Sequence, residues 1–242
     1  TYTENNNSFT MGTENVTLTA QWTANTYTIV FKNGSDTERQ ENVQYGDTVE
    51  LNANNFTAQE GYTFDGWATT DGGTAVYADK ANVTNLTSVK DGEVTLYAVW
   101  TPKTVTVTFS NGEGAVGGSD SVSATFGQQL PSALIPYREG YTFGGYYADQ
   151  VCEGKQYYNA YMTPTNSDLN SDTILYAKWT AKTYKVTYMN GTTEVSSDEW
   201  TYGQSGSVLA ASAVEIETGY KLAGWAKSEN GSVAYAPGQT GL

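Results

Sequence analysis

Histidine is absent from this chain of 242 residues, and cysteine occurs once, as Cys152. A solitary thiol forms no intrachain disulfide. With no histidine and no second cysteine beside it, it also has no partners for a zinc or redox site. Cys152 therefore reads as a lone loop residue, in a protein that is either reduced or exported without disulfides. Cations are scarce too: 12 Lys and Arg stand against 26 Asp and Glu, for a net charge of −14. Nucleic-acid binding needs clustered cations to displace counterions, so this footprint excludes it. No apolar run approaches the length of about 18 residues that a membrane-spanning helix requires. Neither a signal peptide nor a carboxy-terminal sorting motif is visible. Because the sequence begins and ends inside a repeating pattern, it reads as a piece of a longer protein.

What the chain has in quantity is aromatic rings, 13% of residues, with 19 Tyr and 6 Trp. They recur. Gly61-Tyr-Thr-Phe-Asp-Gly-Trp67 returns as Gly140-Tyr-Thr-Phe-Gly-Gly-Tyr146 and as Gly219-Tyr-Lys-Leu-Ala-Gly-Trp225, in steps of 79 residues. A period held that closely is a repeat architecture. Three further marks recur around it. A strand-like run ends in aromatic-x-Asn-Gly at Phe31–Gly34, Phe109–Gly112 and Tyr188–Gly191. An aromatic-Gly pair follows at Tyr45-Gly46, Phe126-Gly127 and Tyr202-Gly203. Leu-x-Ala-x-Trp stands at Leu18 to Trp22, Leu96 to Trp100 and Leu175 to Trp179. The marks divide the chain into residues 1–22, a tail strand of a preceding repeat, then repeats at 23–100, 101–179 and 180–242. The last of these lacks its Leu-x-Ala-x-Trp strand. Units of this size bury only a modest core, so a few large rings must supply much of it.

Alternation gives the strands. Val105, Val107 and Phe109 alternate with threonines, and Tyr27, Ile29 and Phe31 and Tyr184, Val186 and Tyr188 keep the same period of two. Asn-Gly after such a run predicts a tight hairpin. Second strands are expected over Thr37–Tyr45, Ser121–Phe126 and Glu194–Tyr202. The stretch before each Gly-Tyr has room for one or two helical turns, kept short in the second repeat by Pro131 and Pro136. Third strands begin at the Gly-Tyr motif, and Leu-x-Ala-x-Trp ends a fourth. In that fourth strand Leu, Ala and Trp share one face, so Trp100 and Trp179 are expected to be largely buried. From Trp22 to Tyr27 and from Trp179 to Tyr184 only four residues intervene. They reach at most about 13 Å, so neighbouring units are expected to be tightly tethered.

Taken together, the four marks resemble the Listeria–Bacteroides repeat, the family that includes the B-repeat of internalin B. Leu96-Tyr-Ala-Val-Trp100 and Leu175-Tyr-Ala-Lys-Trp179 match its last mark fully, and Leu18-Thr-Ala-Gln-Trp22 departs at one place. Tyr146 stands where the family usually has Trp. The resemblance covers the whole chain. It implies a β-rich α+β fold of tandem β-grasp-like (ubiquitin-like) repeats; joined by only four residues, the units are expected to line up as an elongated rod. It also implies an extracellular place on a bacterial cell surface, and it brings no catalytic residues with it.

Other patterns point to chemistry only weakly. Gly112-Glu-Gly-Ala-Val-Gly117 fits a dinucleotide fingerprint, but Gly118-Ser-Asp-Ser-Val-Ser after it is no helix, so it reads as an enlarged hairpin turn. Asp71-Gly-Gly73 and Asp91-Gly92 read as turns rather than calcium loops. The carboxylate pairs Glu215 and Glu217, and Asp198 and Glu199, do not recur between repeats. No catalytic, cofactor-binding, metal or ligand-binding residue is assigned, and no cofactor. The recurring rings fit a core. The non-recurring Tyr147, Tyr157, Tyr158 and Tyr161 are the better candidates for a surface patch.

The expected function is a non-catalytic stalk or spacer in an adhesin-like surface protein. An alternative is a module that binds a glycan or a protein of a host or neighbouring cell through exposed aromatics. A third is an accessory segment of an exported hydrolase. The unmatched ends lead to a further expectation. A sheet missing a strand exposes an edge that recruits strands from other chains. Residues 16–22 of one copy would then complete the third repeat of another, head to tail.

Overall fold

A computed structural model describes residues 11–241. The part of the tail strand placed at residues 1–10 lies outside the described residues. Strands form where β-branched and aromatic residues alternate. In the first repeat they are β1 (Thr26–Asn33), β2 (Asp36–Gln44), β3 (Thr48–Glu50), β4 (Tyr62–Ala68), β5 (Asn82–Thr84) and β6 (Gly92–Pro102). The main sheet has the order β2-β1-β6-β4. β1 runs antiparallel to β2 and parallel to β6, with Phe31 opposite Leu96. β3 and β5 form a separate antiparallel pair.

The second repeat repeats the plan with β7 (Thr104–Ser110), β8 (Ala115–Gly117), β9 (Ser121–Thr125), β10 (Pro136–Arg138), β11 (Tyr141–Tyr147), β12 (Gln156–Tyr158) and β13 (Thr173–Ala181). Its sheet order is β12-β11-β13-β7-β9. β7 and β13 are the parallel pair, with Phe109 opposite Leu175. In the third repeat, β14 (Thr183–Asn190) and β15 (Thr193–Thr201) form one hairpin, and β16 (Trp225–Ala226) and β17 (Val233–Tyr235) another.

Helix is almost missing. Among the described residues the one helical element is a 3-10 turn at Ala211–Ala213 in the third repeat. The helical turns that the spacing allowed in the first repeat give way to an open loop. Side chains satisfy its backbone: Gln40 accepts from Asn52 N at 3.0 Å, Asp79 from Asn54 N at 2.8 Å, and Asn54 from Phe56 N at 3.1 Å. Asparagine-rich backbone that finds such partners gains nothing by coiling. In the second repeat Pro136 opens β10, which pairs with β8, so the chain there is extended.

The chain gathers into two compact bodies. One runs through Ala58 and takes in Thr63–Thr101; the other takes Gln59–Tyr62 and everything from Pro102 onward. The first body's core holds Tyr27, Ile29, Phe31, Leu51, Trp67 and Leu96. In the second body Val107, Phe109, Tyr146, Tyr158 and Leu175 lie at the centre of the second repeat.

Each repeat carries the same ring pair. Phe31 meets Trp67 at 4.7 Å between ring centroids, Phe109 meets Tyr146 at 4.6 Å, and Tyr188 meets Trp225 at 4.8 Å. The last glycine of the long motif has a reason in the same place. A Cβ on Gly66 would lie 2.4 Å from the Tyr77 carbonyl oxygen; on Gly145, 2.3 Å from that of Tyr158; on Gly224, 2.5 Å from that of Tyr235. Only glycine lets that carbonyl approach.

Trp100 and Trp179 are partly buried, at the rim of the core. Each packs one face on the core and uses its polar edge as a latch. Trp100 Nε1 donates to the Asn33 side chain at 3.0 Å, and Trp179 Nε1 to the Asn111 carbonyl at 2.8 Å. The fourth mark thus ties down the Asn-Gly turn of the first. An indole N–H buried without a partner carries a cost, and these partners at the Asn-Gly turn hold each ring at the rim.

The tyrosines of the second core make it sensitive to alkali. Burial pushes the Tyr158 phenol up to about 12; burial, with Asp168 nearby, does the same to Tyr157. Both rise from an ordinary value of 10.0. The unfolded chain ionises first, so these rings contribute stability that is whole below pH 10 and is lost as pH rises through about 12. In a titration followed by ultraviolet absorbance and circular dichroism, their phenolate signal is expected only as the second repeat unfolds. Ionisation at the ordinary value within an intact sheet would contradict this.

Candidate functional site

The surface tyrosine patch does not form. Tyr158 is fully buried and Tyr157 is 6% exposed. β12 lays both against β11, and the Tyr158 hydroxyl donates to the Pro131 carbonyl at 2.8 Å. Tyr147 is half-buried, with the Lys178 ammonium 5.2 Å from its ring centre, and Tyr161 alone of the four stands well exposed, at 84%. Tyr158 is in fact a recurring ring. Tyr77, Tyr158 and Tyr235 occupy the same ladder position, opposite Trp67, Tyr146 and Trp225.

The remaining candidates resolve into structure. The glycine-rich stretch at 112–117 ends in β8, a strand where a dinucleotide site would have a helix. Asp198 and Glu199 are consecutive residues of β15 and so face opposite sides of the strand. Glu215 and Glu217 are solvent-exposed. Asp91 sits at φ 54° and Gly72 at φ 70°, both turn positions. Cys152 is buried at a turn, also at φ 54°. Burial raises its thiol, and Asp149 adds to the effect, which makes it a poor nucleophile. No group of three or more carboxylate or cysteine side chains suited to a metal ion occurs among the described residues.

What does recur at the surface is a seat between successive repeats, found twice within the second body. The Tyr202 ring lies flat on Gly140, where a Cβ would come within 2.2 Å of it. Gly140 has φ +74°, so both its conformation and its bareness suit glycine. Tyr141 stands edge-on to Tyr202 at 5.6 Å and 77°, with the Arg138 guanidinium 4.0 Å from the centre of the Tyr141 ring. Two backbone bonds close the joint: Lys182 N donates to Gly140 O at 2.8 Å, and Tyr202 N to Lys182 O at 2.8 Å.

Gly61, Tyr62, Lys103 and Phe126 make the same joint. A Cβ on Gly61 would lie 2.3 Å from the Phe126 ring, and Tyr62 meets that ring at 5.8 Å and 73°. Lys103 N donates to Gly61 O at 2.8 Å, and Phe126 N to Lys103 O at 2.9 Å. The aromatic-Gly pair of one repeat therefore seats on the Gly-Tyr of the repeat before it. Sequence reasoning recorded both marks without joining them. Their constant order, with a fixed three-residue step from Trp to the residue that bonds the glycine, was the available signal.

Comparison with known proteins agrees with the repeat. The Listeria-Bacteroides repeat domain matches residues 27–99, 106–178 and 184–241. A protein of Evansella cellulosilytica named "Putative Gly-rich membrane protein" is 31% identical over 230 residues, covering 92% of this chain and 25% of that protein. A second from the same organism, named "Putative membrane protein", is 31% identical over 224 residues, covering 88% of this chain and 30% of its own length. The chain thus spans roughly a quarter to a third of these relatives. With three tandem matches along its length, the chain belongs to the Listeria-Bacteroides repeat family.

Proposed function

We propose that these repeats are a non-catalytic spacer, the stalk of a bacterial cell-surface protein that holds another domain away from the envelope. The observation that carries this reading is the seat. A joint that spends a glycine, two rings and two backbone bonds on fixing one repeat against the next suits a part whose task is to keep its direction. The same residue types make it at Gly61 and at Gly140. Relatives named as membrane proteins, much longer than this chain, fit a repeat that is one part of an envelope-associated whole. We further read each unit as β-grasp-like. The order β2-β1-β6-β4 with β1 and β6 parallel supports this, a loop replacing the helix. The glycan-binding alternative loses Tyr157 and Tyr158, two of its four leading rings, to the core.

Three units in line would make a particle about 90 Å long with a radius of gyration near 26 Å, against about 18 Å for one compact globule of this length. Small-angle scattering extrapolated to infinite dilution is expected to give the larger radius. The smaller one would rule out the stalk.

A further inference from the structure

In the first and second repeats the opening strand and the closing strand are neighbours and run the same way. β1 pairs with β6 from Tyr27 opposite Gly92 to Lys32 opposite Tyr97, and β7 pairs with β13 from Val107 opposite Thr173 to Ser110 opposite Tyr176. These strands are also where the chain enters and leaves each repeat. Only Lys103 separates β6 from β7, and only Lys182 separates β13 from β14. Tension along the chain therefore reaches a repeat at the start of its opening strand and leaves at the end of its closing strand.

Direction then decides how the repeat yields. Pulled in this way, two parallel neighbours slide along each other in opposite senses. Sliding by one residue, about 3.3 Å, breaks every backbone bond between them together. An antiparallel pair pulled apart at its open end gives way differently. It releases one residue pair per about 6.6 Å of travel, since each step frees a residue on both strands.

The boundary that slides is also dry. Ile29, Phe31 and Leu96 are at most 1% exposed, and Val107 and Leu175 are fully buried. No water stands ready there to replace a bond as it stretches. Further bonds cross the same boundary at both ends. Asp91 N donates to Thr26 O at 2.8 Å at the entry of the first repeat. At the far end Trp100 Nε1 donates to the Asn33 side chain, and in the second repeat Trp179 Nε1 donates to the Asn111 carbonyl. The tryptophan latches thus lie on the path of the load, whereas the edge strands β2 and β9 lie beside it.

We propose that the first and second repeats resist mechanical tension, with the parallel pair of opening and closing strands as the clamp in each. The use of such a clamp rests on the stalk reading, because a spacer at a cell surface transmits the pull on whatever its far end holds. The clamp itself follows from the strand order and register alone.

The test is single-molecule force spectroscopy of the intact chain held by its two termini. The first repeat is expected to open in one step. Its residues from Thr26 to Pro102, at about 3.3–3.6 Å each, lengthen the chain by roughly 220–250 Å once the folded span is subtracted. The peeling direction is probed in a Cys152→Ala background by attachment through Thr26→Cys and Gln44→Cys, two positions that face each other at the open end of the β1–β2 hairpin. Thr104→Cys and Thr125→Cys, partners in β7 and β9, give the same comparison in the second repeat. At equal pulling speed the force through the termini is expected to exceed the peeling force at least about threefold. Equal forces in the two directions, or opening of the first repeat in several small steps from the termini, overturn the clamp. The scattering radius tests the stalk separately: a compact radius with a high force refutes the stalk and leaves the clamp, and the larger radius with equal forces does the reverse.

Discussion

Replacing Trp67 by alanine is expected to cost the first repeat about 3–5 kcal/mol, at the upper end of single-residue core truncations. Trp67 is 1% exposed and ringed by Phe31 at 4.7 Å, Phe64 at 4.9 Å and Phe56 at 6.2 Å. Its removal leaves three rings without a common neighbour. Trp67→Phe is expected to cost much less. The Trp67 indole N–H is buried without a partner, and an unsatisfied donor already costs about 1–3 kcal/mol. Losing it offsets part of the cavity. Trp100→Ala should fall between the two, because that ring is half-buried and its latch to Asn33 is at the rim. Hydrogen exchange of the β1 and β6 amides reads the loss in that repeat. Equal losses for Trp67→Ala and Trp67→Phe would show that the ring's volume is not what holds the core.

Much of the unit was legible because the marks coincide with strands. The alternation at Tyr27, Ile29 and Phe31 is β1, the Asn-Gly turn leads into β2, and Leu96-Tyr-Ala-Val-Trp100 lies within β6. A period of two states which face is buried, and the core is made of those faces. Two things escaped it. The latch that Trp100 and Trp179 each make to the Asn-Gly turn comes from an N–H that must find a partner, and alternation is blind to hydrogen bonding. Tyr158 was read as non-recurring because it stands 81 residues after Tyr77 and 77 before Tyr235. The turn before it, Ala148 to Lys155, closes around Asp149, which accepts from Gly154 N at 2.6 Å. Two extra residues in that turn move the ring off the fixed step while the ladder keeps its place.

The seat was out of reach for a different reason. Strand patterns describe how a segment packs within its own sheet. A contact between an aromatic-Gly turn and the Gly-Tyr of another repeat joins residues about 60 positions apart on elements with no shared period, as in Gly140 and Tyr202. Its trace in the sequence is the first glycine of the motif, which the left-handed φ of the turn would call for even without the ring, so the pattern does not reveal the contact.

That glycine gives the second large effect. Gly140→Ala is expected to destabilise the joint between the second and third repeats by about 2–5 kcal/mol. Two costs add. A left-handed φ of +74° is strained for alanine by about 1–2 kcal/mol. The new methyl would also lie 2.2–2.3 Å from Cδ1, Cε1 and Cγ of Tyr202, and overpacking of this kind costs about 1–3 kcal/mol. Because Cγ is among the atoms met, the ring cannot escape by turning about its own axis. It must leave the glycine, and with it goes the edge contact to Tyr141. Gly219→Ala is the matched control. It changes the same motif position at φ +93°, but no atom lies within 4 Å of the added carbon, so only the backbone strain remains. The difference between the two variants measures the seat itself. It is read from the exchange rates of the Lys182 and Tyr202 amides, whose acceptors are Gly140 O and Lys182 O. Both amides are expected to exchange faster in Gly140→Ala and to be unchanged in Gly219→Ala. Losses of equal size in the two variants would mean that the ring on the glycine contributes nothing, and the joint would be no more than a short tether.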